Sequence, residues 1–244
     1  MMVPVWEKEF EIKTYEGDKN GELRLVTLMN IFQDCADDHA RNLEVGMQYC
    51  LEHGLAWVGS AYHLKINKLP KIHEKIKVRT WPSIRGKLTA TREFTVFNEN
   101  GEALIKASSQ WVLLNVKTRR PTALEPLPIF LNHPERAVET DFPKIADLAR
   151  EDFAKPFFVR FDDIDINGHV NNAVYPLWAT ESVPDEFRMS HTPSEIEILF
   201  KKEGLFGEMV KVSTEMDGLG TVHSIKGGDE RELAKVKIEW RKNA

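Results

Sequence analysis

The chain carries two hydrophobic patterns, one typical of strands and one of helices, in an order that occurs twice. Residues 5–15 alternate like a strand, and residues 25–43 place apolar side chains three and four positions apart, as one face of a helix does. Strand-like alternation then fills residues 56–117, with a hairpin turn over residues 98–101. The first half therefore predicts one helix and an antiparallel sheet.

The second half repeats this order. Residues 157–162 read as a strand, and a helix follows over about residues 173–183, where Pro184 ends it. The alternating segments that complete the half are residues 194–202, 209–216, 221–226 and 232–240. A weak sequence match between residues 66–78 and 200–212 supports two copies of one unit.

Prolines mark the connection between the halves. Residues 121–143 hold five of the 12 prolines, which favours a linker packed on the surface. We therefore expect an N-terminal domain over residues 1–120, a linker over residues 121–153 and a C-terminal domain over residues 154–244. The fold class is α+β, with each domain a long helix wrapped by a curled antiparallel sheet.

Between strand and helix of the second half lies the most informative stretch, F-D-D-I-D-I-N-G-H-V-N-N. It places Asp163, Asp165, Asn167 and His169 at alternating positions just before a helix start. Backbone N–H groups and the positive end of the helix dipole gather at such a point. A carbonyl oxygen that gains negative charge could be stabilised there.

Two simpler interpretations compete. D-x-D-x-N-G is also the first half of a calcium-binding EF-hand loop, but that loop needs a glutamate at its twelfth position, which is Val174 here. The other interpretation is an Asx-rich turn in which Asn171 or Asn172 caps the helix. Such a turn does not require a histidine at position 169. The first copy has Glu22 where the second has His169, and Leu69 where the second has Glu203. This asymmetry favours chemistry in the second half and a binding cavity in the first.

Composition excludes several classes of protein. With 244 residues, 42% of them apolar, and a net charge of −5, the chain is long enough for one or two globular domains and carries no basic stripe typical of nucleic-acid binding. We expect no membrane insertion and no signal peptide, and hence the cytoplasm with reduced thiols. Cys35 lies on the apolar face of the first helix and reads as a buried thiol.

The two halves together resemble a tandem, or double, hotdog fold. The segment I-D-I-N-G-H-V-N-N-A-V-Y-P-L-W-A-T-E-S-V-P and the later K-K-E-G-L-F-G-E are similar to the acyl-acyl carrier protein thioesterases of plants and bacteria. The resemblance implies hydrolysis of acyl-acyl carrier protein to free fatty acid, ending fatty acid synthesis, without cofactor or metal. Carried over by position, its catalytic set is Asp165, Asn167, His169 and Glu203. The family's cysteine after that glutamate is Gly204 here.

Two mechanisms remain open at this stage. In one, Asp165 and Glu203 activate water while Asn167 and His169 orient water or substrate. In the other, Asp165 attacks the thioester directly and forms a short-lived anhydride.

The partner implied is an acyl carrier protein with a fatty acyl chain. Candidates to line an acyl channel in the first half are Met29, Phe32, Ala36 and Trp57, although core packing explains each equally well. Basic residues for the acidic carrier are Lys117, Arg119 and Arg120, or Lys201 and Lys202. The chain could be a monomer or a homodimer. Rival functions are an acyl-CoA thioesterase, a hotdog hydratase or dehydratase, and an acyl-binding module without activity.

Overall fold

The structure, a computed structural model, describes residues 2–124 and 133–243. It divides into two compact units, Met1–Asp141 and Phe142–Ala244. The predicted linker spans this division, and its prolines Pro126 and Pro128 lie outside the described residues. The predicted boundaries at residues 120/121 and 153/154 stay predictions.

The first unit is an antiparallel sheet with one long helix. Its elements are β1 (Trp6–Glu11), a 3-10 turn (Thr14–Glu16), α1 (Leu25–Asn42), α2 (Met47–Glu52), β2 (Leu55–Ile66), β3 (Lys75–Arg85), β4 (Thr89–Asn98), β5 (Ala103–Asn115) and the short β6 (Arg120–Pro121). The strands follow the spatial order β1-β3-β4-β5-β2, and β6 pairs with β5.

Helix α1 packs its apolar stripe on the sheet, as its spacing predicts. Leu28, Phe32 and Cys35 are fully buried, and the ring of Phe32 stacks on Phe94 of β4 with 4.5 Å between centroids. An apolar stripe of this kind stabilises a helix mainly through the surface it buries. The predicted helix is thus confirmed to within one residue, whereas the six-residue α2 was not predicted.

The second unit repeats the arrangement. Its elements are β7 (Phe153–Phe158), a 3-10 turn (Phe161–Asp163), α3 (Val174–Glu181), α4 (Asp185–Ser190), β8 (His191–Phe200), β9 (Met209–Asp217), β10 (Gly220–Lys226) and β11 (Glu232–Lys242). The strands follow the order β7-β9-β10-β11-β8. Numbered along each unit, both sheets therefore have the order 1-3-4-5-2, which is the repeat that the sequence predicts. The helix is 18 residues long in the first unit and 8 in the second.

Prolines lie within or directly before several elements of the second unit, among them β7, α3 and α4. Strand β7 begins and ends earlier than expected and contains Pro156, which is tolerated because β7 pairs only with β9 within this unit. Pro176 is the third residue of α3 and lies in its first turn. The N–H groups of a first turn have no partner within the helix, so the missing N–H of proline costs no hydrogen bond there. Helix α4 was not predicted, and Pro184 precedes it directly.

Buried charges hold the described parts of the predicted linker. The Glu93 carboxylate is fully buried and accepts hydrogen bonds from Arg136 Nε at 2.7 Å and the Ala137 N–H at 3.0 Å, besides two serine hydroxyls. In the second unit, buried Lys235 donates to the carbonyl of Ile145 at 3.3 Å. In each unit a buried charged side chain therefore contributes to fixing that unit's own end of the connecting segment, since a buried charge is stable only when its hydrogen bonds are satisfied.

A neutral histidine lies inside the second unit. His223 of β10 is fully buried, and its ring nitrogens contact the hydroxyls of Thr214 at 2.9 Å and Thr221 at 2.8 Å. Burial lowers the pKa of His223 to about 3, because a charged ring would lose its hydration without gaining a carboxylate.

This histidine makes stability depend on pH. Below its ordinary pKa of 6.5 the unfolded chain binds a proton at His223 that the folded chain refuses until about pH 3, so acid favours unfolding across that window. We expect His223 to remove about 1.4 kcal/mol of the free energy of unfolding per pH unit below 6.5. Urea unfolding of the wild type and of His223→Gln at pH 7, 6 and 5 measures this difference. Equal slopes in the two proteins would contradict it.

Candidate active site

The predicted polar stretch forms a tight turn between β7 and α3. The Asp165 N–H donates to the His169 carbonyl at 2.9 Å, and the Gly168 N–H donates to the Asp165 carbonyl at 3.0 Å. Asp165 Oδ1 accepts the Asn167 N–H at 2.8 Å, and Asn167 Nδ2 lies 3.4 Å from Oδ2. Gly168 has φ near 80°, which an L side chain adopts only with strain. Asp165 and Asn167 are thus one hydrogen-bonded pair.

A buried carboxylate fixes the start of this turn. Asp163 is 2% exposed and accepts the Arg160 N–H at 2.9 Å and Arg160 Nη2 at 2.6 Å. The Asn171 N–H donates to the Asp163 carbonyl at 2.8 Å. Asp163 therefore has a structural role, and it is not a member of the catalytic set that the resemblance implies.

The loop after β8 brings the fourth predicted residue to the turn. The Val170 N–H donates to the Gly204 carbonyl at 2.9 Å. The two preceding side chains meet, with 3.1 Å between His169 Nε2 and Glu203 Oε2. Their side chains are 28% and 37% exposed, so solvent or a ligand can reach them. The four predicted residues therefore form two pairs, Asp165 with Asn167 and His169 with Glu203.

The 3.1 Å contact with Glu203 constrains the protons of His169. An ionised carboxylate only accepts, so a hydrogen bond across this contact requires the hydrogen on Nε2. In the neutral ring, Nδ1 then keeps a lone pair. This is the arrangement in which a carboxylate orients a histidine that serves as general base.

The first unit contains the same turn without the same chemistry. The Asn20 N–H donates to Asp18 Oδ1 at 2.8 Å, the Gly21 N–H to the Asp18 carbonyl at 3.0 Å, and the Asp18 N–H to the Glu22 carbonyl at 2.7 Å. Each bond has its counterpart at Asp165. The aspartate and asparagine thus form this turn wherever it occurs, as the Asx-turn interpretation proposes.

The second turn differs from the first in carrying a histidine–glutamate pair. In the first unit the Leu23 N–H donates to the Pro70 carbonyl at 2.8 Å, as Val170 does to Gly204. The residues directly before Leu23 and Pro70 are Glu22 and Leu69, which confirms the alignment of Leu69 with Glu203. An acid–base pair therefore exists at this place in the second unit alone, among the two turns that the structure describes.

The start of α3 offers few free amides. The Ala173 N–H already donates to Asn171 Oδ1 at 2.9 Å, and the Val174 N–H donates to the Asn171 carbonyl at 2.9 Å. Pro176 has no N–H. This leaves the amides of Asn172 and Tyr175 as candidates for contact with a carbonyl oxygen. The assigned N-cap is Ala173, which makes no side-chain cap hydrogen bond; the Asn171 side chain supplies the capping bond at this helix start, in agreement with the expectation that Asn171 or Asn172 caps the helix.

The predicted acyl-binding residues do not share one surface. Met29, Phe32 and Ala36 are buried on α1 against the sheet. Trp57 packs instead on a separate cluster around α2 and donates to the Val45 carbonyl at 3.1 Å. Core packing accounts for all four, and their contact with an acyl chain stays a prediction.

The two thiols lie in the first unit and are buried. Burial raises the pKa of Cys35 to about 12 and that of Cys50 to about 11, so neither is a thiolate near neutral pH. Within residues 2–124 and 133–243, no group of three or more His, Cys, Asp or Glu side chains is arranged to hold a metal ion. No helix formed by these residues is both long and apolar enough to cross a membrane.

Sequence reasoning missed two residues that contact the Glu203 segment. Tyr175 was part of an apolar helix pattern and gave no separate signal. Arg231 lies in the turn before β11, and its Nη2 donates to the Glu203 carbonyl at 3.3 Å. Only the folded structure brings either of them to residue 203.

Comparison with known proteins identifies relatives along the whole chain. Family models for the acyl-ACP thioesterase N-terminal domain and C-terminal domain match residues 4–127 and 146–242. The chain is 28% identical to the chloroplastic palmitoyl-acyl carrier protein thioesterase of Cuphea hookeriana, over 97% of this chain and 62% of that protein. It is also 28% identical to the chloroplastic dodecanoyl-[acyl-carrier-protein] hydrolase of Cinnamomum camphora, over 97% of this chain and 68% of that one. It spans about three fifths of the length of the first of these curated relatives.

A solved structure has the same fold. The crystal structure of an acyl-ACP thioesterase from Bacteroides thetaiotaomicron VPI-5482 superposes with a TM-score of 0.89, covering 98% of both chains at 22% identity. This likeness concerns the fold and agrees with the predicted double hotdog. Since the two family models cover both units, the chain belongs to the acyl-ACP thioesterase family.

Proposed function

We propose that this protein hydrolyses the thioester of an acyl-acyl carrier protein and releases a free fatty acid, which ends fatty acid synthesis. The observation that carries the proposal is the His169–Glu203 pair at 3.1 Å beside the Asp165–Asn167 turn. The names of the relatives, which are acyl-acyl carrier protein thioesterases and hydrolases, support the substrate class. The cytoplasmic location and the monomeric or homodimeric state stay predictions.

The reaction needs a positioned water molecule and groups that stabilise the negative charge on the carbonyl oxygen. In the proposed path, His169 Nδ1 takes a proton from water, the water oxygen forms a bond to the thioester carbon, and Glu203 stabilises the resulting imidazolium. The negative charge on the carbonyl oxygen faces the amides at the start of α3, where one such donor lowers a barrier by about 2.7–4 kcal/mol. The C–S bond then breaks, and the thiolate receives the proton from His169.

The direct path begins at Asp165 instead. One carboxylate oxygen of Asp165 already accepts the Asn167 N–H, so attack on the thioester would use Oδ2. It would form an anhydride and release the thiol before water acts. His169 and Glu203 would then serve the second step, the hydrolysis of that anhydride.

One rival is favoured by the same pair. A histidine held by a carboxylate is also what a hydratase or dehydratase of acyl thioesters needs. An acyl-CoA thioesterase would use the same residues on a different carrier. These two functions are therefore tested beside the proposed one.

A substrate panel separates the three functions. We expect release of free thiol from acyl-carrier proteins with chains of eight to eighteen carbons, and slower release from the matching acyl-CoAs. The panel also includes enoyl thioesters, whose hydration is followed by loss of ultraviolet absorbance. Thiol release from CoA esters alone, or hydration without thiol release, would replace the proposal by the corresponding rival.

The repeated turn provides a matched control for Asp165. Asp165 is the nucleophile of the direct path and a candidate to bind the attacking water in the other path, so we expect Asp165→Asn to lower kcat by at least about 100-fold. The fold should persist, since an asparagine Oδ1 can still accept the Asn167 N–H. Asp18→Asn makes the same change in the turn of the first unit and should change kcat by less than about twofold. Equal losses in both variants, measured as thiol release, would reduce Asp165 to a turn residue.

Glu203→Gln tests the second pair and the two paths together. The amide cannot stabilise an imidazolium, so we expect kcat to fall about 100-fold with little change in KM. Glu22→Gln, in the turn of the first unit, is the control. An effect on KM alone would assign Glu203 to substrate positioning. Hydroxylamine also reacts with thioesters directly, so its reaction with the substrate alone is the background. Acyl hydroxamate formed by Glu203→Gln above this background would reveal an accumulating anhydride, and no excess would favour activated water.

A further inference from the structure

We infer that Tyr175 is a positioning residue, which places Glu203 against His169 through the backbone of Gly204. This inference rests on the proposed function, because it concerns the same pair. Tyr175 lies within the stretch that carries the resemblance, but the predicted catalytic set does not include it.

The first observation is a hydrogen bond to a buried hydroxyl. The Gly204 N–H donates to the Tyr175 oxygen at 3.1 Å. Tyr175 is 2% exposed, and its ring packs edge-on against Trp178 at 5.4 Å and Phe200 at 5.5 Å. Burial raises the pKa of Tyr175 to about 12, so the hydroxyl is neutral over the whole working range of pH. It is therefore a rigid and permanent acceptor for this amide.

The second observation is that Gly204 is held from two sides. Its N–H is bound by Tyr175 of α3, and its carbonyl accepts the N–H of Val170 from the turn. Arg231 adds a bond to the Glu203 carbonyl and is itself fixed by Glu208 at 2.5 Å. The peptide that carries the Glu203 side chain thus has little freedom to move. A displacement of 1 Å at such a place can cost about 100-fold in rate.

The third observation concerns space. A Cβ atom at residue 204 would lie 2.9 Å from Val170 Cγ2 and 3.3 Å from the Tyr175 oxygen. Real Cβ contacts are essentially never under 3.0 Å, so any side chain at 204 would displace Val170, the neighbour of His169. The resemblance places a cysteine at this position. In this chain the Tyr175 hydroxyl and Val170 occupy the space that such a side chain would need.

The fourth observation comes from the unit without the acid–base pair. There Pro70 takes the place of Gly204, since its carbonyl accepts the equivalent bond from Leu23. Proline has no N–H to donate. The residue five positions after Leu23 is Leu28, which has no hydroxyl, whereas the residue five positions after Val170 is Tyr175. Donor and acceptor are absent together from the unit that also lacks the histidine and the glutamate.

The test is a double-mutant cycle between Tyr175→Phe and Glu203→Gln, read as kcat and KM in steady-state thiol release. Phenylalanine keeps the ring and removes the acceptor. We expect Tyr175→Phe to lower kcat about tenfold and to change KM by less than about twofold. In the Glu203→Gln background the same change should cost less than about twofold, because the carboxylate that it positions is already gone. A tenfold loss in both backgrounds would overturn the inference.

A second measurement does not depend on turnover. The ring nitrogens of His169, observed by long-range nitrogen–proton NMR correlation, report its bond to Glu203. We expect Tyr175→Phe to shift the His169 Nε2 signal, and the control Tyr49→Phe, in the first unit, to leave it unchanged. An unshifted signal in Tyr175→Phe would overturn the inference, whether or not the wild type is active. A wild type that releases no thiol from any thioester would refute the proposed function, but it would leave the inference about Tyr175 standing.

Gly204→Ala is a second variant that can be used if Tyr175→Phe does not fold. It keeps the tyrosine and displaces the same peptide through the contact of the new Cβ atom with Val170. We expect the same non-additivity with Glu203→Gln and a shifted His169 signal. An alanine variant with wild-type kcat and an unshifted signal would contradict the inference.

Discussion

The site depends on one backbone hydrogen bond, from the Val170 N–H to the Gly204 carbonyl. This bond sets the register between the polar turn and the loop after β8, so that the preceding side chains, His169 and Glu203, lie side by side. A slip of one residue would exchange His169 for a neighbour and separate the pair. The hydrogen bonds within the turn, the packing around Tyr175 and the absence of a side chain at residue 204 all serve this register.

The first unit shows that the register and the chemistry are separable. It has the same strand order, the same aspartate–asparagine turn and the same kind of bond, from Leu23 to Pro70. The bond there brings together Glu22 and Leu69, which cannot exchange a proton with one another. The fold therefore supplies two places of nearly equal geometry, and the residues before the bond decide whether the place has an acid–base pair. The proposed chemistry therefore rests on those residues and not on the hotdog architecture.

The sequence predicted most of the fold and the members of the site, but not their pairing. Helix α1, the hairpin at residues 98–101 and the strands β8 to β11 have strong periodic patterns, and the structure has them within a few residues. Short helices such as α2 and α4 bury little surface of their own, so their patterns are too brief to read. Tyr175 had the pattern of a core residue, which it is, and its hydroxyl contact with Gly204 arises only when the loop after β8 folds back. Contacts between residues distant in sequence leave no periodic signal.

Comparison of the turns of the two units separates the role of Asp165 from that of His169. The bonds of Asp165 to Asn167 and Gly168 are repeated at Asp18, where no histidine follows, so the need to form the turn already explains them. A chemical role for Asp165 must therefore use Oδ2, the oxygen that does not accept the backbone amide. A thiolate route is closed, because Gly204 has no side chain and the buried thiols of Cys35 and Cys50 have raised pKa values. In the proposed mechanism proton transfer then falls to His169, whose Nε2 lies 3.1 Å from Glu203 and whose Nδ1 would accept the proton of the attacking water.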